Sequence, residues 1–513
     1  MNRPVAAREV DPDFLALPLE ACADAALTAA RELGAQHADV RIVTTHTSYL
    51  SLRDALLEGA TEDHASGLAV RVVHDGCWGF AAGDAVTPEA AARLASQAVG
   101  LARVSRPLVT TAVELADEPV HVGHYVSDYD LDPFGVPEQE RVALLRARNS
   151  ALLASAAVSH VSALQLAVKE QVFYADLSGT RTTQQRVRIE CAHQAVAVDP
   201  ATGAFETMRT VAPPTGRGWE YVAGRVGDVG GARGWDWDSE IAALPTMLAE
   251  KLAAPSVEPG RYTLVIDPTN LWLTIHESVG HATELDRALG YEANYAGTSF
   301  ATPDLLGRLR YGSPLMHVVA DRDARHGLST VGWDDEGVAA QRWDLVRDGL
   351  LVDYQLDRAM AAELGRERSN GCAYADSAEH TAIQRMPNVS LEPNPDGPDV
   401  DGLIAGVTDG IYLVGDNSWS IDMQRFNFQF TAQRFYRIRS GRLAGQVKDV
   451  AYQATTTDFW GSMVATGGPA TYLLGGAFNC GKGQPGQVAA VSHGSPAAVF
   501  DGVNVLNTVR EGR

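Results

Sequence analysis

Residues 271–286 read LWLTIHESVGHATELD, and three of them could do chemistry together: His276, Glu277 and His281. Imidazoles are ordinary ligands of zinc, and a carboxylate beside the first imidazole can take a proton from a water activated at the metal. That is the division of labour of a metallohydrolase. The spacing, however, is H-E-x-x-x-H rather than the H-E-x-x-H of zinc peptidase helices. Histidines four apart on an α-helix lie about 40° from each other around the axis, whereas five apart they diverge by roughly 140°. Both rings reach one ion only if the helix is irregular. A π-bulge inserts one residue and restores the alignment, and Gly280, lacking a Cβ, tolerates altered dihedrals or a close backbone approach there. The spacing therefore predicts a bulge or break within Ser278–Gly280. The apolar run LWLTI delivers His276 and Glu277 into partly buried surroundings, where polar groups without partners are costly.

A catalytic zinc site takes three protein ligands and leaves a position for water. The leading candidate for the third is Cys480 in YLLGGAFNCGKGQPGQ, a Gly-rich turn with Lys482 nearby that favours the thiolate. His493 in VSHGSP, His380 in DSAEHTA, and Glu284 one turn beyond His281 compete with it. Cys22 and Cys191 read as core thiols, Cys77 and Cys372 as loop residues, and His121 and His124 as exposed polar residues.

The elements that must position these groups follow from patterning. A chain of 513 residues has material for two to four domains. Its formal net charge of −22 and the lack of a Lys/Arg run speak against a nucleic-acid partner. The N-terminus has no apolar signal region and no later stretch holds 18 unbroken apolar residues, so the expectation is a cytoplasmic protein with no membrane partner. Five scattered cysteines do not form a disulfide framework.

Residues 18–33 form an amphipathic helix closed by Gly34, and alternating runs then turn at Asp75-Gly76. Thr87 and Pro88 open a second helix, PEQERVALLRARNSALLAS is a third, and further strands turn at Ser178-Gly179. Residues 213–237 lack a period and read as a loop, before a helix in SEIAALPTMLAEKLAA. The expected fold is α+β. Residues 1–255 make an N-terminal domain of antiparallel sheet and packed helices, and residues 256–513 a β-rich sandwich or distorted barrel. Hairpins at Asp348-Gly349 and Ser440-Gly441 belong to the second, with one helix at about 270–288 laid into it.

With these pieces in place, the chain resembles the TldD/PmbA family, also called modulators of DNA gyrase, and within it the TldD branch. The resemblance rests on HESVGHATELD, YAGTSF at 295–300, GWDDEGVAAQRWDLVRDGLLVDYQLDR at 332–358, RMPNVSLEPN at 385–394 and FNCGKGQPGQV at 478–488, with looser agreement in SGLAVRVVHDGCWGFAAGD. It implies metalloproteolysis with one Zn2+ per catalytic chain, His276, His281 and Cys480 as metal ligands and Glu277 as the catalytic base. The PmbA (TldE) branch lacks the metal motif. The resemblance further implies a homodimer, or a heterodimer with a metal-free TldE/PmbA-like paralogue, that cleaves extended peptides such as unfolded segments or leader peptides. The loops GDNSWSIDMQRFNFQF and TDFWGSMVATGGPATYL depart from the family pattern and bear on substrate preference.

Two competing readings are a non-catalytic binding or scaffold protein with a structural or absent metal, and a zinc hydrolase acting on a non-peptide bond. A closed shell of His276, His281, Cys480 and His493 would favour the scaffold, because it leaves no place for water.

Overall fold

The computed structural model describes residues 9–224, 234–483 and 485–509. Its first half is built on a seven-stranded sheet of β1 (His37–Arg53), β2 (Leu56–His74), β3 (Cys77–Gly83), β4 (Val122–Val126), β5 (His160–Asp176), β6 (Arg181–Val198) and β7 (Phe205–Arg209). The spatial order is β3-β2-β1-β5-β6-β4, with β7 also paired to β6, and only the β4–β6 pairing is parallel. Asp75 and Gly76 both hold positive φ (48° and 72°), the type I′ geometry whose twist matches a two-residue hairpin.

Alternation along β1 and β2 turns Val40, Ile42, Leu68, Val70 and Val72 onto the helices Leu19–Glu32 and Pro88–Ser105, which meet them with Ala23, Ala26, Leu94 and Ala98. The Thr87 side chain accepts from the Ala90 N–H, as an N-cap should, and Gly34 closes the first helix at φ 85°.

In the second half five strands close into a barrel. Asp409–Ile421 pairs in parallel with Gly260–Ile266, and the ring continues antiparallel through Ala498–Asn507, Val450–Thr455 and Asn427–Arg439 back to Asp409–Ile421. The hairpin turns at Asp348-Gly349 and Ser440-Gly441 again carry two positive φ values each. The helix Pro268–Ile275 is wholly buried and shares a core with Phe428, Phe430, Phe459, Trp460 and Phe500. This is the mixed architecture expected from the sequence: helices on an antiparallel sheet, then a barrel holding the histidine helix.

Buried charges knit the halves together. Arg71 on β2 donates to Asp39 at 3.0 and 2.7 Å and pairs with Glu336 at 3.0 Å, while Arg41 on β1 reaches Asp335 at 3.2 Å. Asp335 and Glu336 of the GWDDEG stretch thus dock the first sheet.

Several expectations need correction. The helix placed at about 270–288 ends at Ile275 and continues as a π turn over His276–Gly280 and a 3-10 turn over His281–Thr283. Glu284 is extended (φ −72°, ψ 117°), and a short helix follows at Leu285–Ala288. The break has a physical cause: the passing chain pairs with Glu284, as the Gln355 N–H donates to the Thr283 carbonyl and the Gln355 carbonyl accepts from Leu285. Cys77 opens a strand and is fully buried, and His121 is only partly exposed and pairs with Glu118 at 2.8 Å, whereas Cys372 does lie outside any helix or strand, though buried. Part of the 213–237 loop lies outside the described residues; within it Trp219–Val222 forms a buried helical turn. Among the described residues no helix is long and apolar enough to cross a membrane.

Candidate metal centre

The surplus residue between His276 and His281 is absorbed by the π turn. The two imidazoles converge, with ring centroids 4.7 Å apart at 73°. A π turn leaves carbonyls without helical partners, and this one satisfies them from outside. Tyr311 donates its hydroxyl to the Ser278 carbonyl, Gln355 Nε2 donates to the Gly280 carbonyl at 2.5 Å, and the Thr283 hydroxyl to that of Val279 at 2.9 Å. Gly280 itself has ordinary right-handed dihedrals (φ −53°, ψ −62°). What requires glycine is close approach, because a Cβ would lie 2.5 Å from Met386 Sδ.

Cys480 arrives on the strand Leu473–Lys482, which pairs with Gln487–Ser495 through a register shift between Ala477 and Cys480. Such an irregularity re-aims a side chain. Here it brings Cys480 Sγ to 3.6 Å from His281 Nε2, and Arg385 fixes the backbone by donating to the Cys480 carbonyl at 2.5 Å. Ligand atoms of His276, His281 and Cys480 all lie within 4.8 Å of one another, and all three residues are buried.

The tautomers follow from the outer partners. His493 Nδ1 faces the Val389 carbonyl at 2.9 Å, which can only accept, so Nδ1 carries the proton and Nε2 a lone pair. That Nε2 is 2.7 Å from His276 Nδ1, which must therefore donate, leaving His276 Nε2 bare. His281 Nδ1 donates to Glu284 Oε2 at 2.8 Å, so its Nε2 is bare on the Cys480 side. Glu284 is fully buried; it also accepts from Lys482 Nζ at 2.9 Å.

Electrostatics agree. Burial disfavours the Glu284 carboxylate, yet Lys482 and His281 hold it well below its ordinary range. For Cys480, burial raises the thiol, but His281 and Arg385 outweigh it and bring it below its usual value. Cys191 goes the other way, pushed up to about 12 by burial. Burial disfavours the charged forms of His276 and His493 and lowers both. The donor set is two imidazoles whose Nδ1 atoms are engaged from behind, leaving Nε2 to face inward, and a thiol inclined to ionise, which suits a borderline-soft divalent ion such as zinc.

Glu277 points beside this set. Burial would raise its carboxyl, but His276, His281 and Arg425 hold it below the ordinary value, so it is an ionised acceptor. Arg425 Nη1 contacts Glu277 Oε2 at 2.5 Å. Arg425 sits in a tight turn at φ 63°, shaped by Asp422, whose carboxylate accepts the N–H groups of Gln424, Phe426 and Asn427. A cavity of about 650 Å³ opens onto these groups, lined also by Leu164 and Leu166 of the first sheet, Trp419, and the strand segment 475–481.

Of the other candidates, Glu284 and His493 contact His281 and His276 from behind. His380 lies elsewhere, partly exposed and paired with Asp376 at 2.6 Å. Sequence reasoning missed Arg425, for which a lone arginine in a polar loop gave no signal.

Known proteins resemble the chain over most of its length. The C-terminal domain of the PmbA/TldA metallopeptidases matches residues 259–507, and domain 1 of the same family matches residues 38–102. A metalloprotease of Methanocaldococcus jannaschii is 26% identical over 82% of this chain and 87% of its own. One from Methanothermobacter thermautotrophicus is 27% identical over 90% and 93%. A zinc metalloprotease TldD homologue of Saccharolobus solfataricus is 22% identical over 83% and 88%. Among solved structures, TldE from Thermococcus kodakarensis shares the fold at a TM-score of 0.66 and 14% identity, covering 94% of this chain and 99% of that one. With both domain matches falling on the sheet and on the barrel described above, the chain belongs to the PmbA/TldD family of metallopeptidases.

Proposed function

We propose that this chain is a zinc-dependent peptidase of the TldD branch, with His276, His281 and Cys480 as metal ligands and Glu277 as the catalytic base. The observation that carries the reading is the convergence of three donor atoms within 4.8 Å beside a buried carboxylate paired with Arg425. When bound, zinc would acidify a water and polarise the scissile carbonyl. Glu277 then accepts the proton of the attacking water and returns it to the leaving amine. Arg425 keeps Glu277 ionised and aimed into the cavity. His493 and Glu284 hold the rings of His276 and His281 in the tautomers that leave Nε2 free.

The substrate is an extended, unstructured peptide. The strand Leu473–Lys482 pairs on one side only among the described residues, and its segment 475–481 faces the cavity, so a peptide can add to it through main-chain hydrogen bonds. Unfolded segments and leader peptides fit this demand; folded proteins do not enter. The assembly is a homodimer or a heterodimer with a metal-free TldE-like paralogue, and the chain works in the cytoplasm without nucleic acid.

The scaffold reading is disfavoured by His493, whose Nε2 is occupied by His276 Nδ1 rather than free to close a four-ligand shell. The deciding experiment is Glu277→Gln. Bound zinc should match that of wild type while cleavage of an unstructured peptide falls about 10²–10⁴-fold; undiminished cleavage would refute the assignment.

A further inference from the structure

On the opposite face of the first sheet from that cavity a second group of possible metal ligands comes together. His46 on β1 and His64 on β2 are direct cross-strand partners, and Glu62 lies two residues before His64, on the same face. His46 Nε2 is 2.8 Å from Glu62 Oε1, the two imidazoles stack at 3.6 Å, and the ligand atoms of all three residues fall within 4.8 Å of one another. Phe134 covers the other face of His46 at 3.7 Å, which fixes the ring.

We infer that His46, Glu62 and His64 form a second metal site, for a borderline divalent ion such as Zn2+, Ni2+ or Co2+. Two imidazoles and one carboxylate select this class over Mg2+ or Ca2+, which prefer all-oxygen shells. The site is separate from the proposed catalytic centre. His46 pairs in register with Lys169 of β5, whereas Leu164 and Leu166, which line the catalytic cavity, lie an odd number of residues away and so on the opposite face.

The neighbouring cations are held by their own partners. Lys169 Nζ pairs with Asp11 and Asp132, each at 2.7 Å, and Arg141 donates to Ser48 at 2.7 Å, approaching Glu62 only at 3.8 Å through Oε2. Oε1 is left to the histidines. Donor atoms on one such ion sit roughly 3.4 Å apart at the usual bond lengths, and exposed His64 can turn to meet that spacing. The Glu62 side chain is 47% exposed, so water can complete the shell. A bound ion would pin β1 to β2 where β2 is most exposed.

The test is a Co2+ titration of the metal-stripped full chain, counting equivalents while following absorption. A thiolate ligand gives an intense sulfur-to-cobalt band; the site inferred here gives none. Wild type should take up one equivalent that adds no such band, and His64→Ala and Glu62→Gln should each lose that one equivalent and leave any thiolate band unchanged. Equal counts in wild type and both variants would overturn the inference. A missing thiolate band in wild type would instead count against the Cys480 assignment, so the two failures are distinguishable.

Discussion

The Nε2 of His493 lies 2.7 Å from the Nδ1 of His276, across 217 residues of chain, and a hydrogen bond to the Val389 carbonyl fixes which of the two donates. Removing His493 frees the His276 ring to rotate and to adopt the other tautomer. His493→Ala should lower zinc affinity about 10–100-fold, measured by competition with a chelator. His493→Gln, whose amide oxygen can accept from Nδ1, should recover part of the loss.

Arg425 supplies the counter-charge to Glu277 from a turn with left-handed backbone. Arg425→Met keeps bulk and removes the charge. Zinc content should be unchanged, while kcat/KM for an unstructured peptide falls by at least about tenfold, the scale of one misplaced base. Loss of metal instead would mean that Arg425 supports the ligands rather than the base.

Gly280 leaves room for Met386, which is buried. Gly280→Ala should force that side chain aside and lower stability by about 1–3 kcal/mol, read as a drop in Tm. An unchanged Tm would show that Met386 yields freely.

Asp357 gives a pH-dependent stability. Burial, reinforced by Glu336 and Asp286, pushes its carboxyl up to about 8, far above the roughly 3.9 of an unfolded aspartate. Between those values the folded chain keeps a proton that the unfolded chain has released, so stability declines as pH rises from about 4 to about 8. Asp357→Asn keeps the acceptor that caps Met360 N–H at 2.8 Å and removes the titration. The variant should equal wild type near pH 4 and exceed it by roughly 1–3 kcal/mol at pH 8, measured by denaturant unfolding at both values.

Much of this architecture was legible in local chemistry. Asp75-Gly76, Asp348-Gly349 and Ser440-Gly441 specify hairpins because their residue types accept positive φ, and the structure uses all three. The five-residue step from His276 to His281 is arithmetic on helical geometry, and it led to the π turn. The helix overran to residue 288 in the sequence reading because nothing local announces that residues 354–356 will pair with Glu284. Glu284 and His493 were readable as possible ligands but not as groups behind ligands, since that distinction depends on which ring nitrogen they meet. Arg425, a lone arginine in a polar loop, gave no local signal at all. Its role comes from a contact 148 residues away.

The Arg71 bridge from Asp39 to Glu336, with Arg41 on Asp335, spans sequence separations that no single half contains. Parting the halves would break Arg71–Glu336 and Arg41–Asp335 together, two pairs whose side chains are almost wholly buried. Both contacts therefore oppose a clamshell opening of the walls of the cavity beside Glu277, which are drawn from both halves. Heating should melt the molecule in one cooperative transition, and residues 256–513 produced alone should be insoluble, stranding Asp335 and Glu336.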